Sequence, residues 1–279
     1  MSYFVEITSE KKGFHIDLKE LWNYRYLVFL LVRKNFALSY KQTILGPLWM
    51  LFVPVLYAAV HSIVFGWIAE MSTGGTPVFL FYLCSNSIWG MFSACIQRNI
   101  NVFRENQGLF GKVFFPRLTV PVSNIFINLI IFLVQIIPSV VLIAVFTVRG
   151  VLHPLWWGWL LLPLVLFHLA LLGMGCGLIV SSVTVKYRDL SVLASAGVSI
   201  WMYASPVIYP LSQVKEGWLR RLVLLNPVTA PLELCRRILL GTGEIAAVAV
   251  GSSVLITLII LFVGIGVFNR TEQDFIDTV

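Results

Sequence analysis

Tyr82, Ser85, Asn86, Trp89, Ser93 and Gln97 recur at the spacing of one helical face. At 100° per residue they fall within an arc of about 120°, with Leu83, Met91, Ala94 and Cys95 opposite. Such a row joins flat ring surfaces to hydroxyl and amide groups, a combination on which a sugar ring can stack and hydrogen-bond. The same residue types also serve a plainer purpose, hydrogen bonding between helices at about 0.6 kcal/mol per bond within a membrane. Both readings stand for this row and for Trp49, Tyr57, His61 and Phe65, which line one side of the preceding apolar segment. For Asn124, Asn128 and Gln135, at i, i+4 and i+11, bonding between helices is the better account.

Covalent chemistry finds little support. His61 and His168 have no carboxylate at a helical spacing, and a hydrolase would need paired carboxylates or an oriented Ser/His/Asp set. Every Asp and Glu falls at the edge of an apolar segment or in a loop, which disfavours a carrier coupled to protons or sodium. Cys84, Cys95, Cys176 and Cys235 form no CxxC and read as packing residues. Gly173, Gly175 and Gly177 lie in an apolar helix with no strand before them, so they suit close helix packing and not a dinucleotide loop. No GxxxxGK[ST] occurs, and the single Gly-Lys pair, Gly111-Lys112, is followed by Val113; nucleotide binding through a P-loop is not expected of this chain.

The elements that must carry these residues are membrane helices. Of 279 residues, 58% are hydrophobic and 12% charged, with a mean hydropathy of +0.89, far from the roughly 25% charged of an ordinary soluble domain. Apolar segments fall at about 47–69, 78–98, 117–147, 155–185, 190–209 and 245–268. An even number places both termini on one side. Of the 20 Lys and Arg residues, 14 lie on that side and 6 on the other, which makes the termini cytoplasmic. The excess of base, net +7, then reports orientation and anionic lipid, and nucleic acid is not an expected partner.

Residues 1–46 show no cleavable signal and form a cytoplasmic N-terminal segment, with residues 47–279 as one membrane domain. Between Asp17 and Phe36, Leu18, Leu21, Trp22, Phe29 and Val32 share one side of a helical wheel, as in a helix lying on the membrane surface. The stretch 210–244 is too polar to cross. Its apolar runs, broken by Asn226-Pro227 and Pro231, suggest two short helices dipping into the outer leaflet with their arginines reaching to headgroups. The expected fold class is therefore an all-α integral membrane protein: six transmembrane helices, an N-terminal amphipathic interface helix, and two short external helices between helices five and six.

The run from Tyr40 to Trp49, YKQTILGPLW, resembles a signature of the membrane subunits of polysaccharide-exporting ABC transporters, the permeases for O-antigen, teichoic acid and capsule. Phe115-Pro116-Arg117, the run Lys186-Tyr187-Arg188-Asp189, Pro206 with Tyr209-Pro210, and Asn226-Pro227 match in order, so the resemblance covers nearly the whole chain. It implies a homodimer in the cytoplasmic (inner) membrane that moves a lipid-linked polysaccharide outward. Two copies of a separate cytoplasmic ATPase would hold the ATP and Mg, with no cofactor in this chain. It also implies that Arg104, Glu105, Asn106, Lys112, Lys186, Tyr187, Arg188 and Asp189 dock on that ATPase, with Phe103, Leu109 and Phe110 suited to a groove on it. Trp201, Tyr203 and Tyr209 join Trp49, Tyr57, His61, Tyr82 and Trp89 as candidate conduit residues, and Trp218, Arg220, Arg221, Asn226, Arg236 and Arg237 belong to an external gate. Other readings are an ABC exporter of a small lipid or drug and a membrane-embedded glycosyltransferase or lipid-modifying enzyme.

Overall fold

Backbone groups in hydrocarbon must bond within their own segment, so each apolar run is expected to fold as a helix. In the computed structural model, which describes residues 18–41, 43–110, 115–187 and 189–276, every regular element among the described residues is helical. Residues 1–17, Gln42 of the YKQTILGPLW run, and the candidate coupling residues Lys112 and Arg188 lie outside them.

Helices α1 (Leu18–Asn23) and α2 (Arg25–Tyr40) form the N-terminal arm. Its apolar surface is divided, unlike the single face of the helical wheel. Tyr24, Leu27 and Leu31, one stripe at i, i+3 and i+7, pack into the protein, where α2 lies along the third apolar segment. Val32 is buried, whereas Trp22, Tyr26, Phe29 and Leu30 stay exposed, so the expected partners Trp22, Phe29 and Val32 do not share a surface.

The first apolar segment is α3 (Leu48–His61), continued by the wider turns Ser62–Ile68. The second is α4 (Val78–Ile100). Two single turns, α5 (Val102–Glu105) and α6 (Gln107–Phe110), follow. The third segment is a pair, α7 (Thr119–Gln135) and α8 (Ile137–Val148), bent by 41°. Pro138, in the first turn of α8, has no N–H to return to the preceding turn, which accounts for the bend. The fourth is α9 (Leu162–Thr184).

The fifth, α10 (Leu190–Tyr203), has only 14 residues, because the chain must leave the helix before Pro206. At about 1.5 Å per residue it is shorter than the ~30 Å hydrocarbon core, so the span expected over 190–209 is completed by irregular chain. Helices α11 (Trp218–Leu225) and α12 (Thr229–Leu240) occupy the external stretch, and α13 (Ala247–Ile276) ends the described chain. Four helices are thus long and apolar enough to cross a membrane alone, and the bent α7–α8 pair makes a fifth candidate.

Helix α9 is the axis of the bundle, and its glycines explain why. Gly173 and Gly177, at i and i+4, face α4 so closely that a Cβ on Gly177 would lie 2.6 Å from Asn99 Cβ and 2.8 Å from the Ile96 carbonyl oxygen. Gly175, on the opposite face, meets Gly264 of α13, where an added Cβ would lie 2.7 Å from the Gly175 carbonyl oxygen. Small residues on both faces let two neighbours approach to backbone contact, which is where dispersion does most within a membrane. Asn99 then donates from Nδ2 to the Cys95 carbonyl at 2.7 Å and accepts from Asn124 Nδ2 of α7 at 3.1 Å. Asn128 Nδ2 lies 3.4 Å from Cys95 Sγ, so two of the third segment's three amides, Asn124 and Asn128, bond between helices.

Candidate functional site

The polar and aromatic row of α4 is occupied within the protomer. Ser85 accepts from Arg236, Asn86 Oδ1 lies 3.1 Å from His61 Nδ1, and Gln97 Oε1 accepts from Ser195 of α10 at 2.7 Å. Tyr82 and Trp89 are buried: Tyr82 against His61 and Phe65, Trp89 against Trp201 and Phe92. Helix α4 packs on α3, α7, α9 and α10 and leaves one stripe less covered, with Gly90 exposed and Asn86, Ser93 and Gln97 half-buried beside it, while Tyr82 and Trp89 stand behind the surfaces that a cargo could reach. Trp49 and Tyr57 are exposed on α3, Trp49 one end of the helix away from His61.

Beyond the end of α10, a cavity of about 900 Å³ opens between that helix, the chain that follows it and α11. Three candidate conduit residues, Trp201, Tyr203 and Tyr209, meet the candidate gate residue Asn226 in its wall. Met71, Gln213, Lys215, Leu219 and Leu222 are among its other lining residues and were not among the candidate site residues; only the tertiary fold brings them to one place. Asn226, just beyond α11, is placed by four bonds. Its Oδ1 accepts from Trp201 Nε1 and the Val228 N–H, each at 3.2 Å, while Nδ2 donates to Ser205 Oγ at 2.9 Å and the Ala204 carbonyl at 3.3 Å.

Helix α11 matches the expected surface helix. Trp218, Leu219, Leu222, Leu225 and Arg221 are exposed, and Arg220 pairs with Glu244. Helix α12 does not match. It is buried along most of its length, Arg237 remains exposed, and Arg236, expected to reach toward headgroups, is 1% exposed and paired with Glu233 at 2.6 Å. Two turns of mostly apolar residues give α12 a place in the core beside α4, α9 and α13, and carry the guanidinium inward with them. Burial pulls the Arg236 pKa below its usual value, and the Glu233 carboxylate opposes that shift.

At the other end of α4, the two stretches expected to couple to a partner adjoin each other. A cavity of about 380 Å³ is lined by Asn101, Arg104 and Gln107 from one and by Thr184, Val185 and Ser191, which flank the other, and Thr184 Oγ1 donates to the Ile100 carbonyl at 3.3 Å. Arg104, Glu105, Lys186, Tyr187 and Asp189 are exposed, and Asn106 is half-buried with its Nδ2 bonded to the Val102 carbonyl at 2.9 Å. Phe103 and Phe110 turn inward instead of outward. Phe103 stacks on Phe268 of α13 at 4.6 Å, and Phe110 meets Phe103 at 6.1 Å and Phe115 at 5.9 Å. These rings do not offer themselves to a partner's groove, because α2, α7 and α13 already cover them.

Comparison with known families is decisive: residues 26–240 match the model of the ABC-2 type transporter membrane family. The chain belongs to that family. A relative described as an O-antigen export system permease protein, RfbA of Myxococcus xanthus, is 25% identical over 265 residues, covering 94% of this chain and 98% of the relative. Two Klebsiella pneumoniae proteins with the same description are each 26% identical over 265 residues, covering 93% of this chain and 98% of their own length. This ABC-2 protein is thus an all-helical, multi-pass permease similar along almost its whole length to proteins described as O-antigen exporters.

Proposed function

We propose that this ABC-2 permease is the membrane subunit of an ATP-driven exporter that carries a lipid-linked polysaccharide, O-antigen-like in type, outward across the cytoplasmic membrane. It works as a homodimer with two copies of a separate ATPase subunit, which holds ATP and Mg, and keeps both termini in the cytoplasm. The observation that carries this reading is the external cavity of about 900 Å³, walled by Trp201, Tyr203, Tyr209 and Asn226. Rings and amides together suit sugar hydroxyls and ring faces without demanding one sugar identity. Trp49 and Tyr57 on the uncovered side of α3 extend the same chemistry toward the cytoplasm, with a second copy supplying the opposite wall.

Arg104, Glu105, Lys186, Tyr187 and Asp189 form the surface on which the ATPase acts. Displacement there reaches α13 through Phe103 and Phe268, and α10 through α4 and the Gln97–Ser195 bond. The test is co-expression with the ATPase encoded beside this chain. A 2:2 complex with ATPase activity absent from either protein alone, weakened by Arg104→Glu or Lys186→Glu, is expected, together with loss of surface polysaccharide when the permease is deleted. Unaltered surface polysaccharide would instead favour a small lipid or drug as cargo, and transferase activity in the isolated chain would favour the enzyme reading.

A further inference from the structure

The chain from Ala204 to Pro210 is irregular, yet Ser205 to Ile208 and Pro210 are buried. Irregular backbone inside a membrane protein leaves carbonyl groups that no helix satisfies, and each needs a donor from elsewhere. Two side chains supply them. From α12, Arg236 Nη2 donates to the Val207 carbonyl at 3.0 Å, and Nη1 lies 3.5 Å from that of Tyr209. From the end of α11, Asn226 Nδ2 reaches the Ala204 carbonyl and the Ser205 hydroxyl.

Arg236 is itself fully committed. Its Nε and Nη2 donate to Ser85 Oγ of α4 at 3.2 and 2.9 Å, Nη1 donates to Glu233 Oε1, and the guanidinium carbon sits 4.3 Å from the centre of the Phe81 ring. All five N–H donors of the guanidinium are thereby accounted for, in a fork that a lysine cannot reproduce. Glu233 Oε2 accepts the Glu244 N–H at 3.1 Å, and Glu244 pairs with Arg220 of α11, so the network returns to the cavity's other wall. The inner side of this turn is held by Arg236, while its outer side, through Ala204 and Tyr209, borders the cavity.

We propose that Arg236 and Asn226 are positioning residues of the external opening: they clamp the Ala204–Pro210 turn from behind and from the side, and so set the width of the aromatic wall that a cargo meets. This rests on the exporter reading above for its purpose, but its geometric content stands apart from it. The clamp predicts that the turn moves as a unit when these bonds are exchanged, and that the opening widens when either residue is shortened.

The experiment places a reporter thiol at Val207, which is wholly buried and where the smaller cysteine side chain adds no bulk, in the full-length chain in intact cells. Labelling by a membrane-impermeant maleimide is followed from outside, beside the same variants without the reporter, since three of the four native cysteines are buried. Asn226→Ala is expected to raise the labelling rate about tenfold at an unchanged protein level, through the loss of its two hydrogen bonds to the turn. Asn226→Asp, which keeps the acceptors for Trp201 and Val228, is expected to raise it less. Arg236→Lys should resemble Asn226→Ala; if Arg236 variants fail to accumulate, the two Asn226 variants decide the matter. Export per ATP hydrolysed should fall in parallel with faster labelling. Unchanged labelling and unchanged export in both Asn226 variants, with normal protein levels, would overturn the clamp. Faster labelling in a chain whose wild type exports no polysaccharide would retain the clamp and overturn the exporter reading.

Discussion

Helices α4 and α9 are 72% and 61% buried over their most apolar stretches, whereas α3 is 17% buried and α10 buries only Val198. Helix α4 is less apolar than α3 and α9 yet the most buried of them, so hydropathy does not separate the pairs. Packing does: α9 carries glycines on two faces and α4 carries amides that find partners, while α3 presents Trp49, Phe52, Leu56, Tyr57 and Val60 outward. One pair holds the protomer together. The other is left for lipid, a second copy or cargo, and it holds most of the exposed aromatic candidates. The expected division of effects follows: substitutions in α4 and α9 should unfold the protein, and substitutions in α3 and α10 should disable it while it remains folded.

The sharpest way to break that contrast is Gly177→Val. With backbone of α4 inside normal contact distance of the added carbon, it should cost about 3 kcal/mol, read as loss of the monodisperse protein in detergent and a lower melting temperature. Gly197→Val on α10, where nothing lies within 4 Å, should leave the melting temperature within the usual range of surface changes. If both variants melted alike, the two regions would not differ in the way their packing implies.

Asn99→Ala tests the polar half of the same argument. It leaves Asn124 Nδ2 without its acceptor, so a loss of about 1 kcal/mol is expected. Thermal melts of the single and double Asn99/Asn124 variants should show the two effects to be non-additive. Tyr203→Ala addresses the other region. The ring is exposed at the cavity, so stability should change by less than about 0.5 kcal/mol, while the export rate should fall roughly fivefold if one stacking contact is lost. Arg220→Ala, which removes a half-exposed pair with Glu244, should have the smallest effect, about 0.5 kcal/mol or less by thermal melt.

Much of this was legible in residues taken one at a time. The interrupted run at Asn226-Pro227 does separate two short helices, whereas the bend at Pro138 and the early end of α10 before Pro206 fall inside segments expected to be continuous. Of the row Asn124, Asn128 and Gln135, read as interhelical, the first two make such bonds and none is seen for Gln135 among the described residues. Arg236 was not legible. It stands beside Arg237 in the sequence, and the two have the same charge and neighbours, yet one lies in the core and the other in solvent. Phe103 and Phe110 were misread for a related reason: a helical turn shows which residues share a side, but not whether that side meets the chain's own helices or a partner.

The sequence alone determined that the chain is a helical membrane protein, because composition and the length of apolar runs leave the backbone no other way to satisfy itself in hydrocarbon. It also determined roughly where the apolar segments lie, since hydropathy is read from composition alone. Only the tertiary structure decided which aromatic rings are enclosed and which face an opening. That depends on contacts between residues far apart in the chain, such as Trp201 with Asn226 and Ser85 with Arg236, and no local spacing encodes them.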